Sequence, residues 1–246
     1  MRSRLATGPT LRPMPTEPVD WHVVARNLPE HARNPIHTDA GAQAAGFPRA
    51  LVAGVTTYGY LTQPLITAWG LDWVAGGGGE VRFRRPVFDG DLVRCAVSRE
   101  GDAVVVGAVT DGPEQPRAVF RALPNGGPLP PMREGQPLIT RELELTGEWG
   151  AEHSPGSGIT HPAMWPMLAN QIVHTQVARG SWIHTRSIVR HHDLARVGCV
   201  AVVRSTVVNR FQSHGERAVL DVVIEVDGVA VASIEHEAIV ALPATS

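Results

Sequence analysis

The chain has 246 residues, with 22 Lys and Arg against 24 Asp and Glu, a formal net charge of -2 and 43% hydrophobic residues. That length fits one large domain or two of ordinary size, and the apolar share supports a packed core, which excludes wholesale disorder. The balanced charge, with no basic run beyond Arg82, Arg84 and Arg85, argues against nucleic acid or an anionic membrane as partner.

Taken in chain order, Met1 to Pro18 holds arginines and prolines but no continuous apolar stretch. This predicts neither a signal peptide nor a membrane anchor, and the expected address is the cytoplasm. The next segment is the richest in chemistry-bearing residues: Glu30, His31, Ala32, Asn34, Pro35, Ile36, His37 and Asp39, followed by Ala44, Ala45, Gly46 and Phe47. A histidine titrates near neutral pH and is the natural proton-transfer group among them. Asn34 before Pro35 also fits ordinary turn chemistry, and Asp39 also fits the start of a helical turn over Ala40 to Ala45.

Leu51 to Trp69 has the length of a helix and is apolar on more than one side, through Val55, Tyr58, Leu61, Leu65, Ile66 and Trp69. Such a helix is buried, so a sheet must wrap it. Gly54 and Gly59 permit close backbone approach, and Pro64 is expected to bend or break the helix. The run Gly76 to Gly79 leads into a strand without the Lys-Ser/Thr of a phosphate loop and reads as a flexible connection. Strands follow at Glu80 to Phe88, Asp91 to Arg99, Ala103 to Thr110 and Pro116 to Leu123, with turns at Asp89-Gly90, Gly101-Asp102 and Asp111-Gly112. Cys95 and Cys199 sit in Val-rich runs and read as small core residues, not as a disulfide or a nucleophile.

Pro124 to Pro137 is dense in Pro and Gly and reads as a linker. Beyond it the same layout returns: a helix from His161 to Val177, opened by Pro162, then strands Trp182 to His191, Gly198 to Val208, Ala218 to Val226 and Val229 to Leu242. Gly215-Glu216 and Asp227-Gly228 repeat the turns of the first half, and Ala122 to Pro124 and Ala241 to Pro243 repeat its close. The chain therefore reads as a tandem duplication, with an N-terminal unit over 1–123, a linker over 124–137 and a C-terminal unit over 138–246. The second-half histidines, His184 and His236 among them, lack zinc-site spacing, and no metal is expected.

Asn34-Pro35-Ile36-His37 with Asp39, an alanine-rich turn closing on Gly46-Phe47, and Gly54 opening a helix resemble the MaoC-like (R)-specific enoyl-CoA hydratases and acyl dehydratases. The resemblance implies an α+β tandem double hot-dog, two antiparallel sheets each wrapping a central helix. It further implies a hydro-lyase acting on an acyl thioester of coenzyme A or an acyl carrier protein, 2-enoyl to 3-hydroxyacyl or the reverse, with no bound cofactor. Carried over, His37 is the catalytic histidine, Asn34 the loop asparagine, and Gly54 or Val55 the backbone donor to the thioester oxygen. The family's aspartate, five residues before the histidine, is Ala32 here, and the histidine that precedes the helix glycine is Ala53.

The gap leaves several readings open. Glu30, His31, Asp39 or His161 could substitute as acid or base, or the second half could contribute across the cleft. The fold could run different chemistry, as a thioesterase, isomerase or cyclase, or the first half could bind an acyl thioester without turning it over. The second half, without an Asn-Pro-x-His copy, is expected to be catalytically silent. Internal pseudo-twofold symmetry supplies the pairing that single hot-dogs need, which leaves a monomer and a homodimer both open.

Overall fold

The computed structural model describes residues 16–110, 115–146 and 158–242. Most of the Met1 to Pro18 segment, the Asp111-Gly112 turn and Pro243 lie outside the described residues. Strand β1 (Trp21–Val24) and a short helix α1 (Asp39–Ala44) precede the long helix α2 (Gly54–Gly76). Strands β2 (Gly78–Phe83), β3 (Leu92–Glu100), β4 (Ala103–Val109) and β5 (Ala118–Leu123) complete the first half. Then come β6 (Gln136–Pro137), β7 (Arg141–Glu144) and helix α3 (Met164–Ile172), which continues into a π-helical turn over Val173–Val177. Strands β8 (Ile183–His191), β9 (Val200–Gln212), β10 (Glu216–Val226) and β11 (Val229–Ala241) close the chain.

The strands form one antiparallel sheet in the order β1-β3-β4-β5-β2-β8-β11-β10-β9-β6, with β7 also paired to β9. Each half follows the same path. A helix is followed by one strand and a three-strand meander, whose last strand returns to pair with the first: β5 with β2, and β11 with β8. The halves fuse where β2 meets β8, in the register Gly78 opposite Arg190 through Arg82 opposite Arg186. At this seam Arg186 is flanked by Glu80 and Glu235, each at 2.5 Å, so the opposed arginines are not left repelling one another.

The buried apolar side chains of α2 and α3 belong to one continuous core. Tyr58 meets the Phe120 ring edge-on at 5.5 Å, and Trp73 packs on Phe120 while its indole N–H donates to Leu123 O at 3.1 Å. Both rings bury large area, and the indole proton finds the partner that burial requires. The helix differs in detail from the sequence expectation. It runs to Gly76, and its backbone leaves helical dihedrals at Gly70 (φ 61), not at Pro64. Pro64 removes the N–H that would bond to Tyr60 O, and the Cys95 thiol supplies a donor to that oxygen at 3.3 Å. Burial pushes the Cys95 pKa up to about 12, so it stays a thiol and acts as a core donor.

The Gly76 to Gly79 run is not a flexible connection. Gly76 ends α2, and Gly78 and Gly79 lie within β2, where backbone from β8 and the Phe120 ring occupy the space of any side chain. Nor is the Pro124 to Pro137 stretch wholly outside the sheet, since its last two residues form β6 against Val207 and Thr206. No helix among the described residues is long and apolar enough to cross a membrane.

Candidate active site

The segment ahead of α2 is held in shape by its own sequence. Pro35 opens a one-turn 3-10 helix, Pro35–His37, where its missing N–H removes nothing. Asn34 caps it, with Oδ1 accepting from Ile36 N at 3.5 Å, while His37 N donates to Asn34 O at 3.0 Å. The same side chain reaches the other half: Asn34 Nδ2 donates to Trp182 O at 2.8 Å and Oδ1 accepts from Trp182 N at 3.4 Å. Asn34 therefore ties the His37 turn to the entry of β8.

His37 is half-buried, with Nδ1 2.8 Å from Leu51 O. A carbonyl only accepts, so Nδ1 carries the proton and Nε2 keeps its lone pair. Burial lowers the His37 pKa to about 4, against a smaller upward pull from the Leu51 carbonyl and a smaller downward one from His31. At neutral pH the ring is an uncharged base.

His37 lines a cavity of about 250 Å³ shared by the two halves. Gly54, Thr57 and Phe83 face it from the first half, and Trp182, His184 and Asn170 from the second. The exposed Arg84 and Arg85 line its outer part, and Arg217 lines it from β10. Gly54 is the first residue of α2, and the first helical bond there runs from Thr57 N to Ala53 O. The preceding N–H groups have no acceptor within the helix, so this end is a donor site at the positive pole of the dipole.

A chain of buried polar groups lies on the second-half wall. His184 Nε2 is 2.8 Å from Ser187 Oγ, which is 2.9 Å from His236 Nδ1, and the two imidazole centroids lie 4.3 Å apart with the rings tilted by 35°. Ser187 and His236 are cross-strand partners on β8 and β11. His184 joins them only because of a β-bulge. Arg186 pairs with Glu237 and His184 with the adjacent Ala238, which leaves Thr185 unpaired and turns His184 to the same inner face as Ser187.

Residues 28–112, about a third of the chain, match the family model described as MaoC like domain. The match lies within the first half and takes in the segment ahead of α2, α2 itself and the strands β2 to β4. No sequence match is found among curated proteins. Among solved structures, a conserved hypothetical protein from Mycobacterium tuberculosis described as having a double hotdog fold is similar at TM-score 0.61, 11% identity, 91% of this chain and 96% of that one. A protein named as a MaoC domain dehydratase from Chloroflexus aurantiacus is similar at TM-score 0.59 and 11% identity, over 93% of this chain and 95% of that one. A protein named as an oleoyl thioesterase from Lactobacillus plantarum is similar at TM-score 0.55 and 11% identity, over 92% and 95%. At such identities the likeness is one of fold, and the fold is a double hot-dog.

Within the matched segment, Asn34, His37 and Gly54 come together at the cavity, while the Val55 side chain points into the core. His31 stands behind His37, its ring 5.9 Å away and its Nε2 3.3 Å from Thr56 Oγ1, and burial lowers its pKa to about 4. The other proposed substitutes are elsewhere. Glu30 is exposed and does not line the cavity, and Asp39 is exposed at the start of α1 with Oδ1 accepting from Ala50 N at 2.8 Å. His161 is buried ahead of α3, where Nδ1 accepts from Ala163 N at 3.1 Å, and it too is away from the cavity. Ala32, in the position of the family aspartate, is exposed and does not line the cavity. Sequence reasoning missed His184, Asn170 and Arg217 as cavity residues. A cross-half cleft was foreseeable from the duplication, but which second-half side chains enter it depends on the bulge in β8.

Proposed function

We propose that the chain hydrates 2-enoyl thioesters, or dehydrates the matching 3-hydroxyacyl thioesters, with His37 as the general base. The observation that carries this reading is the His37 Nδ1 bond to Leu51 O, which leaves Nε2 unprotonated in a ring lining the cavity that Gly54 also lines. In hydration, Nε2 takes a proton from water as the oxygen bonds to C3. The C2–C3 π electrons move onto the thioester oxygen, where donors at the start of α2 stabilise the enolate. The enolate then collapses and C2 takes the proton back from His37. The proton removed from water is the one returned to carbon, so one base suffices and Ala32 does not break the cycle. The exposed Arg84 and Arg85 suit the phosphates of coenzyme A or of a carrier-protein arm.

The test is turnover of a panel of trans-2-enoyl-CoA esters, short and long, by the native chain and by Ala32→Asp. The native chain is expected to hydrate at least one of them. Ala32→Asp, an exposed change away from the cavity, is expected to stay within about a factor of two. Silence in the native chain with activity appearing in Ala32→Asp would instead mean a hydratase scaffold that has lost its chemistry. A thioesterase reading shares the cavity and the base, and release of free thiol from the same panel would single it out.

The pH profile follows from the His37 environment. The working form is the unprotonated ring, so kcat/KM is expected to be lost as pH falls through about 4. An unperturbed histidine would give that loss near 6.5. Rates measured from pH 8 downward distinguish the two.

A further inference from the structure

We infer that His184, from the second half, donates its Nδ1–H to the thioester oxygen at the start of α2, with Ser187 and His236 fixing the tautomer that makes this donation available. This rests on the acyl-thioester reading above. His184 is 6% exposed, lines the cavity, and has an Nδ1 without a hydrogen-bond partner among the described residues. A Cβ built on Gly54 would lie 3.3 Å from that nitrogen. A side chain there would crowd the ring, so the absent Cβ of Gly54 is what lets the start of α2, with the unpaired N–H groups of its first turn, stand close beside Nδ1.

The tautomer follows from counting protons. Both rings are neutral: burial lowers the pKa of each, and at His184 the neighbouring His236 adds to the depression against a smaller upward pull from the Arg186 backbone carbonyl. Ser187 Oγ, between Nε2 of one ring and Nδ1 of the other, donates one proton and accepts one. If Ser187 donated to His236, the His236 proton would sit on Nε2, which is fully buried and unpartnered. An orphaned N–H is the costlier and rarer defect. If Ser187 donates to His184 Nε2 and accepts from His236 Nδ1–H, the lone pair is left on His236 Nε2, away from the cavity, and the unpartnered N–H belongs to His184, which lines it. The free proton is then on His184 Nδ1, at the cavity, where a ligand oxygen can accept it. A neutral imidazole donor of this kind polarises a carbonyl without bringing a charge into a dry site.

Two measurements test this. In the native chain with ¹⁵N-labelled histidine, long-range proton–nitrogen correlation near neutral pH is expected to give a protonated Nδ1 and an unprotonated Nε2 for His184, assigned by its loss in His184→Asn. The reverse pattern, or two protonated nitrogens, overturns the inference. Second, cinnamoyl-CoA serves as a chromophoric enoyl thioester whose absorption moves to the red when its carbonyl is polarised. The shift is expected in the native chain and in His37→Ala, to be lost in His184→Leu, and to return in His184→Asn, whose amide can donate from the Nδ1 position. Ser187→Ala, which releases the tautomer, is expected to lower kcat by about tenfold or more with KM little changed, and Ser187→Thr to restore it. An unchanged red shift in His184→Leu overturns the role of His184 and leaves the hydratase reading standing. Failure of the native chain to bind cinnamoyl-CoA takes both down.

Discussion

Replacing His37 with alanine is expected to lower turnover of a reactive enoyl thioester by about 10²–10⁴-fold, the range a positioned general base contributes. The variant loses the lone pair that takes the proton from water, while the donors at the start of α2 and the His184 wall remain. Substrate binding is therefore expected to change less than kcat. The fold should survive. The bond from His37 Nδ1 to Leu51 O contributes about 1 kcal/mol, and the turn keeps its Asn34 cap and the Asn34 bridges to Trp182. Thermal melting alongside kinetics separates the two effects. A melting temperature that falls with turnover unchanged would make His37 a pin for the Leu51 loop and leave the hydratase reading without its base.

The sequence was most legible where periodicity and punctuation repeat. Strands β8 to β11 fall close to the runs Trp182 to His191, Gly198 to Val208, Ala218 to Val226 and Val229 to Leu242, because β-branched residues and paired Gly turns mark both strand and end. The short strands β1, β6 and β7 escaped notice, since two to four residues carry no period and take their structure from the neighbour they pair with. The site divides in the same way. Asn34, His37 and Gly54 could be named because local turn chemistry places them: a cap, a proline-opened turn and a helix start. His184 could not. Strict alternation along β8 would set it on the opposite face from Ser187, and only the bulge at Thr185, specified by pairing with β11, brings both inward. Asp39 shows the converse case, an acidic residue near the motif whose carboxylate is engaged by Ala50 N and has no part in the cavity.

The seam between the halves offers the sharpest test of the fold, because two glycines two residues apart should respond to alanine with opposite signs. Gly78 has φ +147 in β2, and a Cβ there would stand 2.2 Å from Val189 O and 3.1 Å from Arg190 Cα, both backbone atoms of β8. Neither can swing aside as a side-chain tip would, so Gly78→Ala must part the strands or distort the chain. The cost combines an unfavourable dihedral with overpacking and comes to about 3 kcal/mol or more. For a domain of this size that is a fall of roughly 6–12 °C in Tm. Gly76, at the end of α2, would meet nothing within 4 Å and has no positive φ. Alanine there narrows the unfolded ensemble and favours helix, a gain of about 0.5 kcal/mol. Because β2 pairs with β8 and His184 lies on β8, parting the seam also moves the cavity wall. Gly78→Ala is thus expected to lose activity along with stability, whereas Gly76→Ala keeps both. Equal melting temperatures for the two variants would mean that β2 and β8 do not approach as closely as this register requires.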